Sequence, residues 1–363
     1  MSYLVITVHT EASNNPDPLR NDISHISEIN FLTDQCDKYN YLPTYLLTYE
    51  MATRDRSINI FKEILDKNKC EVGTHLHIWS TPPFVNANKY GIDIDYLDGI
   101  QSELDDETFF SKMNNLHQAI VDNFGINPKS HCAGRWAIDL RTLKWLIEKK
   151  YSVDSSICAY KTWKGTKGIK SYIETDSIFS PKIPYYPSIY NIAHPAKSVK
   201  DKLTILEVPV SGFEGDYYWK FARTVKKILS NNHYSNQSDI KIDELEYPQD
   251  DISKPVKPRL LSLKEKLFKI IKYKPTIGSS FRPSSNLDIN LFEKKLHKLF
   301  SKRLPVYNFM FHSSELGLYT SHFTDTPEKL SALKNRIELT LRLARSYDIE
   351  GIKISDLKNK LVK

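Results

Sequence analysis

The stretch Gly73-Thr74-His75-Leu76-His77-Ile78-Trp79 places two histidines at alternate positions of a β-rich run. Because alternate side chains of a strand point to the same face, the sequence predicts that both imidazoles lie on one side of a sheet. Two neutral imidazoles that converge at a strand end can supply half of a tetrahedral site for Zn²⁺ or another divalent ion. A pair of hydrogen-bonded structural histidines is the alternative, and for this motif in an arbitrary strand it is the commoner explanation.

Short strands and helices alternate along the chain on both sides of this run. Strands are predicted at Tyr3–Val8, Pro43–Leu47, Cys70–Trp79, Tyr151–Ile157, Leu203–Val210 and Pro305–Phe311, with Gly351–Ile354 as a closing strand. Helices are predicted at Ile26–Tyr39, Ile58–Lys67, Glu107–Phe124, Leu140–Lys150 and Pro327–Tyr347. This alternation is typical of βαβ units, so the sequence predicts an α/β fold built on a parallel sheet.

Length and composition indicate one domain that carries an insertion. Of the 363 residues, 40% are hydrophobic and 26% are charged, so the chain can bury an ordinary core. We therefore predict a single α/β-barrel domain over residues 1–363, interrupted by a polar, lysine-rich insertion at 214–283. Within the insertion, 259–274 has a basic amphipathic helical pattern. Such a helix either packs on the barrel, which is commoner, or makes weak peripheral contact with a membrane.

Charge and cysteine usage limit the partners and the compartment. The formal net charge is +7, but the sequence contains no RNP-like or helix-turn-helix pattern, so nucleic acid is not a predicted partner. No apolar run approaches the roughly 18 residues that a transmembrane helix needs. The apolar start of the chain indicates a first strand instead of a signal peptide. The four cysteines show no CxxC spacing, which favours a reducing, cytoplasmic location.

Four further segments carry residues suited to chemistry. His9 and Glu11 end the first predicted strand with the same alternate spacing, and functional side chains of parallel barrels gather at the carboxyl ends of strands. His312 directly follows a later predicted strand and suits a general acid, although a histidine there can also cap the next turn. Arg135 can orient a carboxylate or hold a sugar, and the carboxylate of Asp154 is expected to pair with it.

Taken in order, these segments resemble the polysaccharide deacetylase family with NodB homology, in the branch found in surface-polysaccharide and lipopolysaccharide gene clusters. The resemblance is carried by Thr7-Val8-His9-Thr10-Glu11, Gly73-Thr74-His75-Leu76-His77-Ile78-Trp79, Ala133-Gly134-Arg135-Trp136, Asp154-Ser155-Ser156, Leu206-Glu207-Val208-Pro209, Arg282-Pro283 and Phe311-His312-Ser313-Ser314-Glu315. It implies a distorted (β/α)₇ TIM-like barrel and a carbohydrate substrate, from which an N-acetyl group is hydrolysed.

The resemblance also implies a role for each motif. Glu11, His75 and His77 would hold a divalent metal, for which zinc is the best match. Water held on the metal would attack the acetyl carbonyl, and a carboxylate base would accept its proton. His312 would protonate the leaving amine as the general acid. Asp154 together with Arg135 would support the site.

Two positions depart from the family's pattern. His9 stands where the family has a base aspartate, and Cys132 stands where an arginine begins the third motif. A histidine with a pKa near neutrality can serve as the base, but it can equally become a metal ligand and leave no base.

These departures keep two other functions open. One is a catalytically weakened relative that binds a glycan or a partner. The other is a metal-dependent phosphoesterase, since paired histidines also open such sites. That function requires additional ligands, for which His194 and His233 are available.

Overall fold

The computed structural model describes residues 1–214, 278–284 and 287–361. Most of the predicted insertion at 214–283, including the basic amphipathic pattern at 259–274 and His233, lies outside the described residues. Residues 1–213 and 278–363 form one compact unit. No helix in the described part of the chain is both long and apolar enough to cross a membrane.

A parallel sheet forms the centre of the fold, with the strand order β11-β1-β2-β3-β4-β5-β8. The strands are β1 Ser2–Thr10, β2 Pro43–Leu47, β3 Glu71–Leu76, β4 Ser130–Ala133, β5 Val153–Asp154, β6 Pro187–Ser188, β7 Asn191–Pro195, β8 Leu206–Glu207, β9 Gly212–Glu214, β10 Gly278–Ser280, β11 Val306–His312 and β12 Ile349–Gly351. β12 adds an eighth strand beside the first residues of β1. The predicted α/β class with a distorted (β/α)₇ TIM-like barrel is confirmed.

Helices cover the sheet and bury its apolar outer face. They are α1 Ile29–Tyr39, α2 Tyr49–Thr53, α3 Asp55–Asp66, α4 Asp106–Phe124, α5 Leu140–Glu148, α6 Ile289–Phe300, α7 Pro327–Ser346 and α8 Leu357–Leu361. Side-chain capping marks the start of α4, α5, α6 and α7. The carboxylate of Asp139, for example, accepts a hydrogen bond of 2.7 Å from the Thr142 amide at the start of α5. A continuous apolar core lies between these helices and the strands.

The two edges of the sheet meet through residues outside the regular strands. The Ser211 amide donates to the Asn308 carbonyl (3.1 Å), and the Phe281 amide donates to the Ser211 carbonyl (2.7 Å). The Met310 amide then donates to the Phe281 carbonyl (3.1 Å), which ties both segments to β11. The closing strand was predicted at Gly351–Ile354, but β12 spans Ile349–Gly351 and Ile354 begins a 3-10 helix. β12 pairs with the first residues of β1, which β2 leaves unpaired because it begins its pairing at Ile6.

Candidate metal and acid–base site

The histidines and Glu11 gather at the carboxyl ends of β1, β3 and β11. His9 and His312 are register partners on neighbouring strands, and their ring centroids are 5.1 Å apart. His75 lies near the end of β3, and its ring centroid is 4.5 Å from that of His9. His77 was predicted inside this strand, but β3 ends at Leu76, so His77 lies on the connection that follows. It still turns its ring toward His75, at 4.6 Å between centroids.

Three potential ligand atoms converge at this point. Oε2 of Glu11 lies 3.1 Å from Nε2 of His77 and 3.7 Å from Nε2 of His75, and the two Nε2 atoms are 3.1 Å apart. Bonds of about 2.0–2.1 Å at tetrahedral angles would separate neighbouring ligands by roughly 3.3 Å. The spacing of these three atoms therefore fits a divalent metal ion.

Contacts with β4 orient these imidazoles. Nδ1 of His75 donates to the Cys132 carbonyl at 2.8 Å, so in the neutral ring the lone pair of Nε2 points at the cluster. His77 stacks on Trp79, at 4.2 Å between ring centroids. Gly134 permits this arrangement, because a Cβ there would lie 2.2 Å from the Leu76 carbonyl oxygen and 2.9 Å from a ring carbon of His77.

The electrostatics keep the cluster in a ligand-competent form. Burial raises the pKa of Glu11, but the charge of His312 and the adjoining side chains of His75 and His77 outweigh burial and hold this pKa well below its usual value. Burial also lowers the pKa of His75, which favours the neutral ring. A carboxylate beside neutral imidazole is the donor set that zinc accepts.

His9 occupies the centre of the site without a fixed partner. Its Nε2 is buried, and among the described residues it has no hydrogen-bond partner. Burial, followed by the charges of His75 and His312, holds the pKa of His9 well below its usual value. Possible ligand atoms of His9, His75 and Cys132 also lie within 4.8 Å of one another, so His9 can be placed as a base or as an additional ligand.

His312 is held by a carboxylate whose role the sequence analysis did not assign. Oε1 of Glu315 lies 2.9 Å from Nδ1 of His312, accepts from the His312 amide at 3.0 Å, and forms an ion pair with Arg282. Burial raises the pKa of Glu315, but the charges of Arg282 and His312 outweigh burial and hold this pKa below its usual value, so Glu315 is a carboxylate. The signal was the three-residue spacing between His312 and Glu315, which is the spacing of a capping box.

The expected pairing of Asp154 with Arg135 is wrong. The Asp154 carboxylate accepts from the Ser156 amide and hydroxyl, both at 3.0 Å. Arg135 instead donates to the carbonyls of Leu97 and Asp98 and lies over the Trp79 ring. Neither residue contacts the other, and each is connected to the site through a neighbour. Asp154 is connected through Ser156, whose hydroxyl accepts from the Ala133 amide at 2.8 Å.

The described structure does not bring His194 to this cluster. His194 lies in β7, whose partner is β6 in a separate two-stranded sheet. The two potential metal-binding groups in the described part of the chain both include His75, and neither contains His194. The additional ligands expected of a phosphoesterase are therefore not supplied by this residue.

No family model matches the sequence, and no curated protein matches it. The structure is similar to that of a protein from Parabacteroides distasonis described as a candidate glycoside hydrolase/deacetylase. The two share 13% identity over 99% of this chain and 70% of that chain, with a TM-score of 0.59. A candidate polysaccharide deacetylase from Mycobacterium smegmatis aligns with 12% identity over 99% and 91% of the chains, with a TM-score of 0.48. The likeness to the first protein shows a shared barrel fold.

Proposed function

We propose that the protein is a metal-dependent hydrolase that removes an acetyl group from an N-acetylated sugar of a surface polysaccharide or its precursor. The observation that carries this proposal is the convergence of Glu11, His75 and His77 at ligand spacing, with His312 nearby. The ordered motifs of the sequence favour the same branch of deacetylases. The description of the structurally similar protein as a glycoside hydrolase/deacetylase agrees with it.

In this proposal Glu11, His75 and His77 hold the metal, and zinc suits the two imidazoles and one carboxylate best. A divalent ion bound there would supply Lewis-acid polarisation of the acetyl carbonyl. Burial of both imidazoles strengthens each electrostatic interaction, because water is excluded.

His312 is proposed to donate the proton that the departing amine needs. Glu315 engages Nδ1 of His312, which leaves Nε2 as the nitrogen that can face a substrate. His9 is proposed to accept the proton released by attacking water, because its buried Nε2 has no other described partner. Its neutral ring has the free lone pair that a base requires.

The first prediction concerns the metal and the activity together. The full-length wild type should contain about one zinc per chain and should release acetate from N-acetylglucosamine oligosaccharides. His75→Ala combined with His77→Ala should remove both the metal and the activity, because two of three ligands are lost. His297→Ala is the matched control, since it removes an exposed histidine that contacts Tyr347. Equal metal by elemental analysis in wild type and double variant would contradict the assignment.

A weakened enzyme that binds a glycan is the second candidate, and His9 is the observation that favours it. The strongly lowered pKa makes the imidazole of His9 a weaker base than an ordinary histidine, and the family's pattern has an aspartate base at this position. The second prediction follows from this contrast. If the wild type is a hydrolase with His9 as base, His9→Ala should lower turnover roughly 100-fold with zinc content unchanged.

His9→Asp distinguishes the remaining outcomes. Activity retained or raised in His9→Asp supports the role of His9 as the base. Loss of zinc in His9→Ala shows that His9 is a ligand. Acetate release found only in His9→Asp, or only with Cys132→Arg added, would overturn the hydrolase proposal in favour of the weakened binding protein.

We also infer a cytoplasmic location. All four cysteines are free and buried, and buried thiols without disulfides are typical of reducing compartments.

A further inference from the structure

A cleft of about 740 Å³ lies outside the metal and acid–base cluster. Its lining comes from the residues that precede and begin α5, from two stretches at 171–179 and 189–194, and from Ser102 and Lys164. A cavity of this size is in the range that ligand sites occupy. None of the proposed ligands or acid–base residues lines it, so it requires a separate explanation.

Three aromatic side chains of the lining are strongly exposed. The exposed fractions are 57% for Tyr172, 61% for Phe179 and 84% for Tyr190. Exposed large apolar side chains gathered at one cavity indicate a binding surface, whereas singly scattered ones do not. Aromatic rings offer flat apolar faces, and the C–H face of a pyranose ring packs against such a surface.

Polar groups lie between these rings. Glu174, Asp176 and Asn191 line the cleft and are exposed, so they can exchange hydrogen bonds with the hydroxyl groups of a sugar. Lys164 is the lysine among the lining residues, which also include the three carboxylates of Asp139, Glu174 and Asp176. This balance of charge disfavours an anionic ligand such as a nucleotide diphosphate.

The lining of the cleft and the candidate active site are linked along the chain through Trp136. Ala137 and Ile138 line the cleft and directly follow Trp136, whose ring centroid is 5.1 Å from that of His9. Trp136 also stacks on Trp163 at 5.6 Å with an interplanar angle of 10°. Trp136 thus contacts both His9 and the residue that precedes Lys164 of the lining.

The backbone around this connection is strained. Arg135 and Trp136 have φ angles of 54° and 60°, in the left-handed region that non-glycine residues rarely adopt. Such residues cluster at functional sites, where the surrounding structure maintains them. Here the strained pair fixes Trp136 between the acid–base cluster and the cleft.

We propose that this cleft binds the sugar units next to the one that reaches the metal site, so that the ligand is an uncharged oligosaccharide and not a single nucleotide-linked sugar. Tyr172, Phe179 and Tyr190 pack against the sugar rings, and Glu174 with Asn191 hydrogen-bonds their hydroxyl groups. Deacetylation of the unit at the metal site rests on the proposed function. The binding of the oligosaccharide does not.

The test is calorimetric titration of full-length, zinc-loaded His312→Ala protein, in which turnover is blocked, with the monomer and the pentamer of N-acetylglucosamine. The pentamer should bind about tenfold more tightly than the monomer, a factor that one or two ring contacts supply. Adding Tyr172→Ala, Phe179→Ala and Tyr190→Ala should remove this advantage. These side chains are exposed, so the variant should keep the melting temperature of its parent.

Two controls accompany this comparison. Tyr347→Ala removes a tyrosine outside the cleft, next to the end of α7, and should leave pentamer binding unchanged. A pentamer of galacturonic acid should bind no more tightly than the N-acetylglucosamine monomer, because the cleft is acidic.

The outcomes separate this proposal from the proposed function. A pentamer that binds no better than the monomer, or equally well to the triple aromatic variant, overturns the cleft proposal. Pentamer binding that depends on the three aromatics supports it, even where wild-type protein releases no acetate and the proposed function fails. If the protein releases acetate from monomer and pentamer at equal efficiency and binds both with equal affinity, the hydrolase proposal is supported and the cleft proposal is overturned.

Discussion

At the scale of single residues, Glu315 determines which nitrogen of His312 is available for chemistry. The carboxylate engages Nδ1 of His312 and the amide of the same residue, and Arg282 fixes the carboxylate from the other side. A histidine held in this way keeps one tautomer and one ring orientation. In the proposed mechanism, Nε2 would then carry the proton for the leaving amine.

A further prediction tests this role with Glu315→Gln, which preserves size but removes the charge. Turnover should fall roughly 10- to 100-fold, as part of what a general acid contributes. KM and zinc content should change little, because Glu315 contacts neither a metal ligand nor the cleft in the described contacts. Kinetics with elemental analysis checks this, with exposed Glu350→Gln as the matched control. Unchanged turnover would show that Glu315 serves only the fold.

The sequence predicted the site residues whose positions follow from alternate spacing along a strand. It missed the side-chain partners that depend on tertiary contacts. His75, His9 and Glu11 meet because strand periodicity and the parallel sheet both act on them. The partner of Arg135 depends on the loop that contains Leu97 and Asp98, whose path has no periodic signal. For that reason the spacing of residues in the sequence could not show whether Arg135 pairs with Asp154.

At the scale of elements, strands with a full apolar pattern were predicted best. Pro43–Leu47 matches β2 to the residue, and all five of its side chains are buried. Two predicted strands are much shorter in the structure: Tyr151–Ile157 is reduced to Val153–Asp154, and Leu203–Val210 to Leu206–Glu207. The ends of a strand are set by its pairing with neighbouring strands and not by the local apolar pattern. Element boundaries are correspondingly the weakest part of such predictions.

Of the helices that were not predicted, the longest has clear signals in the sequence. Helix α6, Ile289–Phe300, begins after Asp288, whose carboxylate accepts from the Leu291 amide at 3.0 Å. Phe292, Leu296 and Phe300 recur at a helical spacing and are buried. The stretch directly follows the polar insertion, and the irregular composition of the insertion obscured where the regular pattern resumes.

At the scale of the whole molecule, two buried carboxyl groups link the stability of the barrel to pH. Asp154 and Glu207 are register partners on β5 and β8, and both are fully buried. Burial raises the pKa of Asp154 to about 6, and burial together with the charge of Asp154 raises the pKa of Glu207 well above its usual value. The folded state therefore retains protons that the unfolded chain releases above pH ~4.

A final prediction follows from the sign of this linkage. Because both folded-state pKa values are raised, the pair contributes stability below the unfolded values, and this contribution is lost as pH rises through about 6 and beyond. The isosteric Glu207→Gln removes the repulsion and lets Asp154 ionise at lower cost. Its free energy of unfolding, relative to wild type, should therefore improve by about 2 kcal/mol between pH 5 and pH 8. Urea unfolding at both pH values measures this difference, and Glu350→Gln should show none. A relative stability that falls with rising pH would contradict this, because it would mean that Asp154 and Glu207 are stabilised as carboxylates by other groups.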